Sequence, residues 1–554
     1  MNVFEVEDLS VSFATEKARK QVTSGISFAV RPGRTLAIVG ESGSGKSVSL
    51  LAATGLLGHN AGITGKALFQ GRDLVGLGRQ ELRKIRGRDI GFVFQEPLTS
   101  LHPLKRVGEQ VGEAIRSHRR LPRKQLRERV VELLTEVGIK DAEQRVDDYP
   151  SQFSGGMRQR VMIASAIALN PAVLIADEPT TALDATVQAS ILDLLKKLQE
   201  NHNTAIILVS HDLGVVADIA DDVVVMKSGR VVESGTADQI YGNPQHPYTV
   251  ELLGAASHRV SKDAAPVAAG SPELLRVRGV HKGFATRRAG RKSTRKVLDD
   301  VTLSIRRGEI VGLVGESGSG KSTLGRLVAG LLRVDEGSVA IGGEEYNAPG
   351  KGGLHLPPAL RRQVQVVFQD PFGSLNPRRR IGAVLAEPLV LHRRGTEGEI
   401  HLRVADLLDK VGLDESFASR FPAELSGGQR QRVAIARAIA LDPALVVADE
   451  PVSALDITTQ VQIVDLIRDL RRESGISFLF ISHDLGVVAD LCDRVEVISD
   501  GRLVEGGITS EVFTNPQHPY TQELLASVPG RRRSLVRFEP AAGVPEAAQE
   551  VVSA

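Results

Sequence analysis

Cysteine is almost missing from this chain: Cys492 is the only one in 554 residues. A lone thiol excludes an intrachain disulfide, a zinc knuckle and a thiolate-ligated iron–sulfur cluster. It leaves Cys492 to be read as a small buried hydrophobe. Long apolar runs are missing too. The most tempting one, Val161–Ala176, is interrupted by Asn170 and Pro171, and a bilayer-crossing helix needs about 18 uninterrupted apolar residues. The opening residues, MNVFEVEDLS, lack the basic-then-apolar order of a secretory signal. The expectation is a cytosolic protein, or one held at a membrane only by its partners. Nor is there an excess of either charge, since 69 Lys+Arg against 67 Asp+Glu leaves +2. That balance excludes a dominant polycationic surface for nucleic acid. What is present is apolar residue in quantity, 42% of the chain, enough for real cores in the two to four domains that the length suggests.

The chain repeats itself. GESGSGKS stands at Gly40–Ser47 and again at Gly315–Ser322. ADEP (176 and 448), SHDLGVVAD (210 and 482) and NPQHPYT (243 and 515) recur at one constant spacing, close to that of the first motif. A near-constant spacing over a whole half means a duplicated domain, not a short solenoid repeat. The first copy is assigned to 1–256 and the second to 274–528. Between them, 257–273 is small, polar and proline-containing, as a linker would be. The stretch 529–554 is expected to form a flexible tail, with Arg531–Arg533 as a solvated turn.

Within each copy, short continuous apolar runs end at polar motifs. Thr35–Val39, Val173–Ala176 and Ala205–Val209, with Ile310–Val314, Leu445–Ala448 and Ser477–Ile481, read as strands buried on both faces. Val187, Ile191, Leu194, Leu195 and Leu198 fall on one helical stripe. Strands alternating with helices predict an α/β fold with a parallel sheet and ligands at the carboxyl ends of its strands.

Gly-x-x-x-x-Gly-Lys-Ser following such a strand has a physical reading. Its glycines let the loop wrap so that backbone N–H groups meet phosphate oxygens at the start of a helix. The phosphate-facing residues are Gly40, Ser42, Gly43, Gly45, Lys46, Ser47 and Val48, and in the second copy Gly315, Ser317, Gly318, Gly320, Lys321, Ser322 and Thr323. The lysines reach β- and γ-phosphates, and Ser47 and Ser322 hold Mg²⁺. Asp177 and Asp449, each ending a later apolar run of the same copy, are placed to organise the same ion. Glu178 and Glu450, one residue on, are candidates to activate water.

With these residues in place, both halves resemble the nucleotide-binding domain of ATP-binding cassette (ABC) proteins over nearly the whole chain. The signature loop reads Phe153-Ser154-Gly155-Gly156-Met157 and Leu425-Ser426-Gly427-Gly428-Gln429, standing at the same distance before the acidic pair in both halves. Gln95 and Gln369 match the family's Q-loop, where they would also help to hold Mg²⁺. His211 and His483, again equally far beyond the aspartate in the two halves, match its switch histidine. Ala182-Leu183-Asp184 and Ala454-Leu455-Asp456 match its D-loop. The resemblance implies two tandem P-loop NTPase domains, each with a RecA-like parallel-sheet core, a β subdomain, a helical subdomain and a short C-terminal extension. It also implies that ATP is sandwiched between the phosphate loop of one cassette and the signature loop of the other. Lys46, Ser47, Gln95, Asp177, Glu178 and His211 would then work with Ser426–Gln429. Their counterparts Lys321, Ser322, Gln369, Asp449, Glu450 and His483 would work with Ser154–Met157. Two departures follow. Met157 replaces the usual signature glutamine, predicting a weaker second site. No tyrosine lies early in either half, so Phe13 and Phe284 are the candidates to stack on adenine.

The repeated Asn-Pro-Gln-His-Pro-Tyr-Thr, ahead of a Glu-Leu-Leu segment, resembles the C-terminal extension of oligopeptide, dipeptide and nickel importer ATPases. This implies an ATP-hydrolysing energy-coupling subunit at the cytoplasmic face of the cell membrane. Its partners would be two transmembrane permease subunits and an extracytoplasmic binding protein, with no nucleic acid. The permeases would dock in a groove bordered by 96–153 and 370–425. The alternative is a soluble tandem-cassette translation factor acting on ribosomes. That branch generally carries a long charged helix between cassettes, where this chain has only the short stretch 257–273, rich in alanine and proline.

Overall fold

The structure is a computed structural model describing all residues except 15–18, 96–99, 182, 260–269, 289–290, 351–357, 454, 531–532, 534 and 538–554. Most of the expected linker and tail, and the first D-loop residues Ala182 and Ala454, lie outside the described residues. The chain divides into two compact units. The first is Met1–Ser257 together with Pro529–Leu535, and the second is His258–Val528 with the residues from Val536 onward.

In the first unit a six-stranded sheet runs in the order 230–236, 222–227, 35–39, 205–210, 173–177, 90–93. All neighbours pair in parallel except the antiparallel edge strand Arg230–Thr236. The runs Thr35–Val39, Val173–Asp177 and Ala205–Ser210 are buried at every residue, which is why they read as unbroken apolar stretches. Alternate side chains serve two cores. Val173, Ile175, Ile207 and Val209 pack with Phe4, Leu9 and Ile26 from a four-stranded antiparallel sheet. Leu174, Ala176, Ile206 and Leu208 face the other way, against Ile163, Ile191 and Leu195 from helices. The predicted stripe lies on helix Ala185–His202, where Ile191, Leu194, Leu195 and Leu198 are buried and Val187 partly so. The helical part comprises Val107–Arg116, Arg123–Glu136 and Gly155–Ile167, packed on one another.

The second unit repeats this plan, with strands in the order 364–367, 445–449, 477–481, 310–314, 494–499, 502–508. The α/β fold with parallel-sheet cores therefore stands in both halves. Cys492 is buried beneath the strand Ile310–Val314, where its sulfur sits 3.1 Å from the place a Cβ on Gly312 would occupy. No helix among the described residues is long and apolar enough to cross a membrane.

The tail behaves differently at one point. In the first unit the Gly530 N–H donates to Asp218 Oδ2 at 2.9 Å, and the Arg533 guanidinium pairs with Asp238 at 3.0 Å and lies over the Tyr241 ring. Arg533, expected in a solvated turn, is half-buried.

Leu195 is fully buried between helix and sheet. Leu195→Ala should cost about 2–5 kcal/mol through lost burial and the cavity left behind, read as a lowered midpoint in denaturant unfolding of the full chain.

Candidate functional site

The glycine-rich loops sit where the strands Thr35–Val39 and Ile310–Val314 end and the helices Lys46–Ala53 and Lys321–Val328 begin. Gly40 has φ +146°, and a Cβ there would fall 2.1 Å from the Met226 carbonyl oxygen. Gly315 repeats this, with φ +152° and 2.1 Å to the Ile498 carbonyl. Only glycine opens these loops. At their crests Ser42, Gly43, Ser317 and Gly318 are exposed, and a Cβ on Gly43 or Gly318 would meet nothing within 4 Å. Gly45 and Gly320 cap the helices in left-handed conformation. Val48 turns toward the apolar core, and Thr323 is half-buried at the same position.

Lys46 and Lys321 are buried at the centre of their loops. Lys46 Nζ donates to the carbonyls of Gly40 at 2.7 Å and Glu41 at 2.8 Å, and Lys321 Nζ to those of Gly315 at 2.6 Å and Glu316 at 2.8 Å. One residue on, Ser47 Oγ donates to Asp177 Oδ1 at 2.8 Å and Ser322 Oγ to Asp449 Oδ1 at 2.9 Å. Each hydroxyl–carboxylate pair offers two hard oxygens beside a cradle of N–H groups. Burial raises both aspartate pKa values, the serine bonds oppose that rise and the neighbouring glutamate charges add to it. A buried carboxylate so placed suits a divalent cation that keeps most of its ligands as water and phosphate. Among the described residues no cluster of three or more acidic, histidine or cysteine side chains offers an all-protein cage.

Glu178 and Glu450 follow those aspartates with φ of 47° and 49°. A side-chain-bearing residue in this left-handed region stores about 1–3 kcal/mol of strain, a feature of functional sites. The Glu178 N–H is held by the Val209 carbonyl at 3.0 Å and the Glu450 N–H by that of Ile481 at 2.9 Å. This conformation turns the glutamate side chain away from the strand and toward the neighbouring strand ends. Three groups converge there on Glu178 Oε2: Gln95 Nε2 donates at 2.7 Å, Thr181 Oγ1 donates at 3.0 Å, and His211 Nδ1 lies at 3.2 Å. Glu450 Oε2 receives Gln369 Nε2 at 2.7 Å and has His483 Nδ1 at 3.3 Å. Ser453, in the place of Thr181, turns its hydroxyl to the Glu450 backbone carbonyl instead.

Burial by itself would raise the Glu178 pKa, but the His211 hydrogen bond and charge, with the Thr181 hydroxyl and the Lys46 charge, outweigh it and bring the carboxyl down to about 2. His211 moves the opposite way: burial lowers its pKa, and the Glu178 hydrogen bond and charge, with the Asp212 charge, raise it further than burial lowers it. Glu450 and His483 shift in the same senses.

The signature serines cap helices. Ser154 Oγ accepts from the Met157 N–H at 3.4 Å, and Ser426 Oγ from the Gln429 N–H at 3.3 Å. Gln429 also returns its side chain, Oε1 accepting from the Ser426 N–H at 3.0 Å, which completes a capping box. Met157 has no such oxygen, and the Arg145 guanidinium rests 3.4 Å from its sulfur. Gly156 and Gly428 are needed for packing, because a Cβ on either would fall 2.3 Å from a methyl of Val187 or Thr459. Gly155 and Gly427 have only an ordinary leucine contact in that position, at 3.6 and 3.7 Å. The two aromatic candidates part company. Phe13 is half-buried against the core, whereas Phe284 is 40% exposed with the Lys282 ammonium 5.7 Å from its ring centre.

Thr181 escaped the sequence reading because one threonine near an acidic pair carries no periodic signal. Another contact comes from the repeated Asn-Pro-Gln-His-Pro-Tyr-Thr. The Glu41 N–H donates to Tyr248 Oη at 3.1 Å, and the Glu316 N–H to Tyr520 Oη at 2.9 Å.

This loop, acidic-pair and capped-signature geometry, present in both units, is that of an ABC cassette. The ABC transporter family model matches residues 23–181 and 298–453, and the chain belongs to that family. It is an ATP-binding ABC ATPase with two cassettes. The C-terminal region of the oligopeptide/dipeptide transporter family matches 232–293 and 504–552. The chain is 45% identical over 562 residues to the glutathione import ATP-binding protein GsiA of Escherichia coli O157:H7, covering 95% of this chain and 90% of that one. The same-named protein of Pectobacterium atrosepticum is 44% identical over 561 residues, covering 95% and 89%. The peptidoglycan transport ATP-binding protein YejF of Agrobacterium fabrum is 44% identical over 530 residues, covering 95% and 96%.

The Glu178–His211 pair makes a pH prediction. A histidine pKa raised in the folded state means stabilisation that is complete below the unfolded value and lost as pH climbs through the folded one. Glu178→Gln removes the charge and leaves burial, so His211 should titrate below its ordinary value instead of above it. Histidine-labelled NMR of the full chain checks this, with His211→Gln assigning the resonance. An unmoved midpoint would contradict the pairing.

Proposed function

We propose that this chain is the energy-coupling ATPase of a multisubunit importer of peptides or peptide-like substrates, working with two permeases and an extracytoplasmic binding protein at the cytoplasmic face of the membrane. The observation that carries the proposal is the oligopeptide/dipeptide-type C-terminal region behind each cassette. The glutathione import and peptidoglycan transport named for the relatives support it.

The chemistry is assigned to the chain's own groups. Backbone N–H groups of both loops, with Lys46 and Lys321, bind and orient the phosphates. Ser47 with Asp177, and Ser322 with Asp449, hold Mg²⁺, assisted by Gln95 and Gln369. The bound ion would offset charge on the β- and γ-phosphate oxygens. Glu178 and Glu450 orient water and take its proton. As general base, each must first be released from the histidine and glutamine gathered on its Oε2, so His211, His483, Gln95 and Gln369 act as the switch. Ser154–Gly156 and Ser426–Gln429 complete the opposite cassette's site, their hydroxyls and helix N-termini meeting the γ-phosphate. Phe13 and Phe284 take the adenine face. ATP-driven closure of two linked cassettes, favoured by their high effective concentration, then moves the permeases between inward- and outward-facing states.

A groove of about 810 Å³ in the first unit supports the permease part of the reading. Phe92 and Phe94 line it, stacked at 4.4 Å, and so does Leu56, 38% exposed. At the matching positions of the second unit Leu331 and Phe368 are 42% and 38% exposed. Exposed apolar side chains gathered along a groove mark a partner surface.

The Glu178→Gln/Glu450→Gln chain should bind ATP but turn it over at least about 100-fold more slowly, since a general base contributes about 10²–10⁴ in rate. Turnover within a few-fold of wild type would remove the glutamates from that role. Ser426→Arg should cripple ATP use at the Lys46 site, located by photo-crosslinking a labelled ATP analogue and proteolysing the two halves apart. Loss confined to Lys321 would defeat the sandwich. Wild-type chain should also co-purify with two polytopic membrane proteins after mild detergent extraction, and Leu56→Asp/Leu331→Asp should lose them. Salt-sensitive co-sedimentation with ribosomes, without membrane proteins, would overturn the importer reading.

A further inference from the structure

The Asn-Pro-Gln-His-Pro-Tyr-Thr motif is built to present its tyrosine. In the first unit Glu233, on the edge strand, accepts from the Gln245 N–H at 2.8 Å and the His246 N–H at 3.0 Å, and His246 Nδ1 in turn accepts from the Tyr248 N–H at 3.1 Å. Pro247 opens the helix Pro247–Ala256, at the position where a missing N–H is no loss. Glu505, His518 and Pro519 repeat every step before Tyr520, at 2.7, 3.1 and 3.2 Å. Tyr248 is buried, with the Lys227 ammonium 4.2 Å from its ring centre.

The hydroxyl so delivered meets one loop residue with a second duty. Glu41 gives its N–H to Tyr248, and its carbonyl accepts from Lys46 Nζ at 2.8 Å. Glu316 stands in the same way between Tyr520 and Lys321, also at 2.8 Å. The residue before it, Gly40 or Gly315, passes so close to the carbonyl of Met226 or Ile498 that a Cβ would fall 2.1 Å from it. The tyrosine bond thus holds the loop segment whose carbonyls align the phosphate-binding lysine.

We propose that Tyr248 and Tyr520 are positioning residues for ATP binding, acting through Glu41 and Glu316 on Lys46 and Lys321, so that the C-terminal extension is part of each nucleotide site. This goes beyond the importer assignment and rests only on the loops taking nucleotide. Removing the hydroxyl leaves a loop N–H without its partner and a lysine without a fixed carbonyl. The loss of one such hydrogen bond corresponds to about a 3–10-fold weaker affinity.

The test is calorimetric binding of ATPγS with Mg²⁺ to the full chain. Tyr248→Phe/Tyr520→Phe should raise Kd by about 3–10-fold and leave the nucleotide-free melting temperature nearly unchanged. Leu252→Ala/Leu524→Ala loosens the same helices without touching the loops and should do the reverse. In a Lys46→Ala/Lys321→Ala background the tyrosine changes should add less than about twofold, because residues acting through one another are not additive. An unchanged Kd in the phenylalanine chain overturns the proposal. So does an equal Kd loss in the leucine variant, or the full tyrosine effect in the lysine background. Failure of the wild-type chain to bind ATPγS would instead strike the nucleotide reading itself.

Discussion

Each unit depends on a buried carboxylate at the end of a central strand meeting the first turn of the glycine-rich helix. The Ser47–Asp177 and Ser322–Asp449 bonds join segments 130 and 127 residues apart in sequence. They form only if the strand carrying the acid and the strand feeding the loop lie in one sheet at the right register. Here the strand Ala205–Ser210 lies between them, setting Thr35 against Ile206 and Val173 against Ala205. Desolvating an aspartate is costly, and its raised pKa records that cost. A sheet core that did nothing but pack would have no reason to retain it. The strain at Glu178 and Glu450 belongs to the same constraint, because the residue after the aspartate must leave the strand abruptly to bring its carboxylate to the histidine and glutamine.

The parts of this arrangement that were legible in the sequence are those with a repeating physical signature. Val173–Ala176 and Ala205–Val209 announced themselves because a strand covered on both faces has no polar residue to interrupt it. The loops announced themselves because glycine is demanded where a Cβ would strike Met226 or Ile498. Duplication strengthened both signals, since a motif in register with every other motif is hard to produce by chance. What stayed hidden consists of single contacts. Thr181 on Glu178, Tyr248 on the Glu41 N–H and the left-handed backbone at Glu178 each depend on a fold that brings distant residues together. Arg533 shows the same limit. Three arginines after a proline look solvated in sequence, yet one of them finds Asp238, which lies in the other half of the sequence.

The two copies share a framework and differ at residues of the candidate site. In the first unit Glu178 has a threonine hydroxyl on its carboxylate, while in the second Ser453 turns to the backbone. In the second unit the signature helix has a full capping box, and in the first Met157 leaves it half made. Phe13 lies partly in the core, and Phe284 stands out from it. The proposed sandwich would mix these differences, so the two nucleotides would not meet the same surroundings. The site holding Lys46 and Thr181 would receive the fully capped Ser426 helix, and the site holding Lys321 and Ser453 would receive the one weakened at Met157.

That distribution has a physical consequence for how a linked pair of cassettes divides its work. An N-terminal cap contributes about 0.5–2 kcal/mol to its helix, and in the proposed sandwich the same helix end would offer its N–H groups to the γ-phosphate. A half-made cap leaves the Ser154 N–H without the side-chain acceptor that Ser426 enjoys, and replaces a polar neighbour of the phosphate with a thioether. The first helix end is therefore less fixed before ATP arrives and loses more freedom when it binds. In the proposed sandwich, where the signature of one cassette serves the phosphate loop of the other, that cost would fall on the Lys321 site. Closure of the pair is then set by whichever site closes with more difficulty, and a single side chain in the first cassette would govern the nucleotide bound by the second.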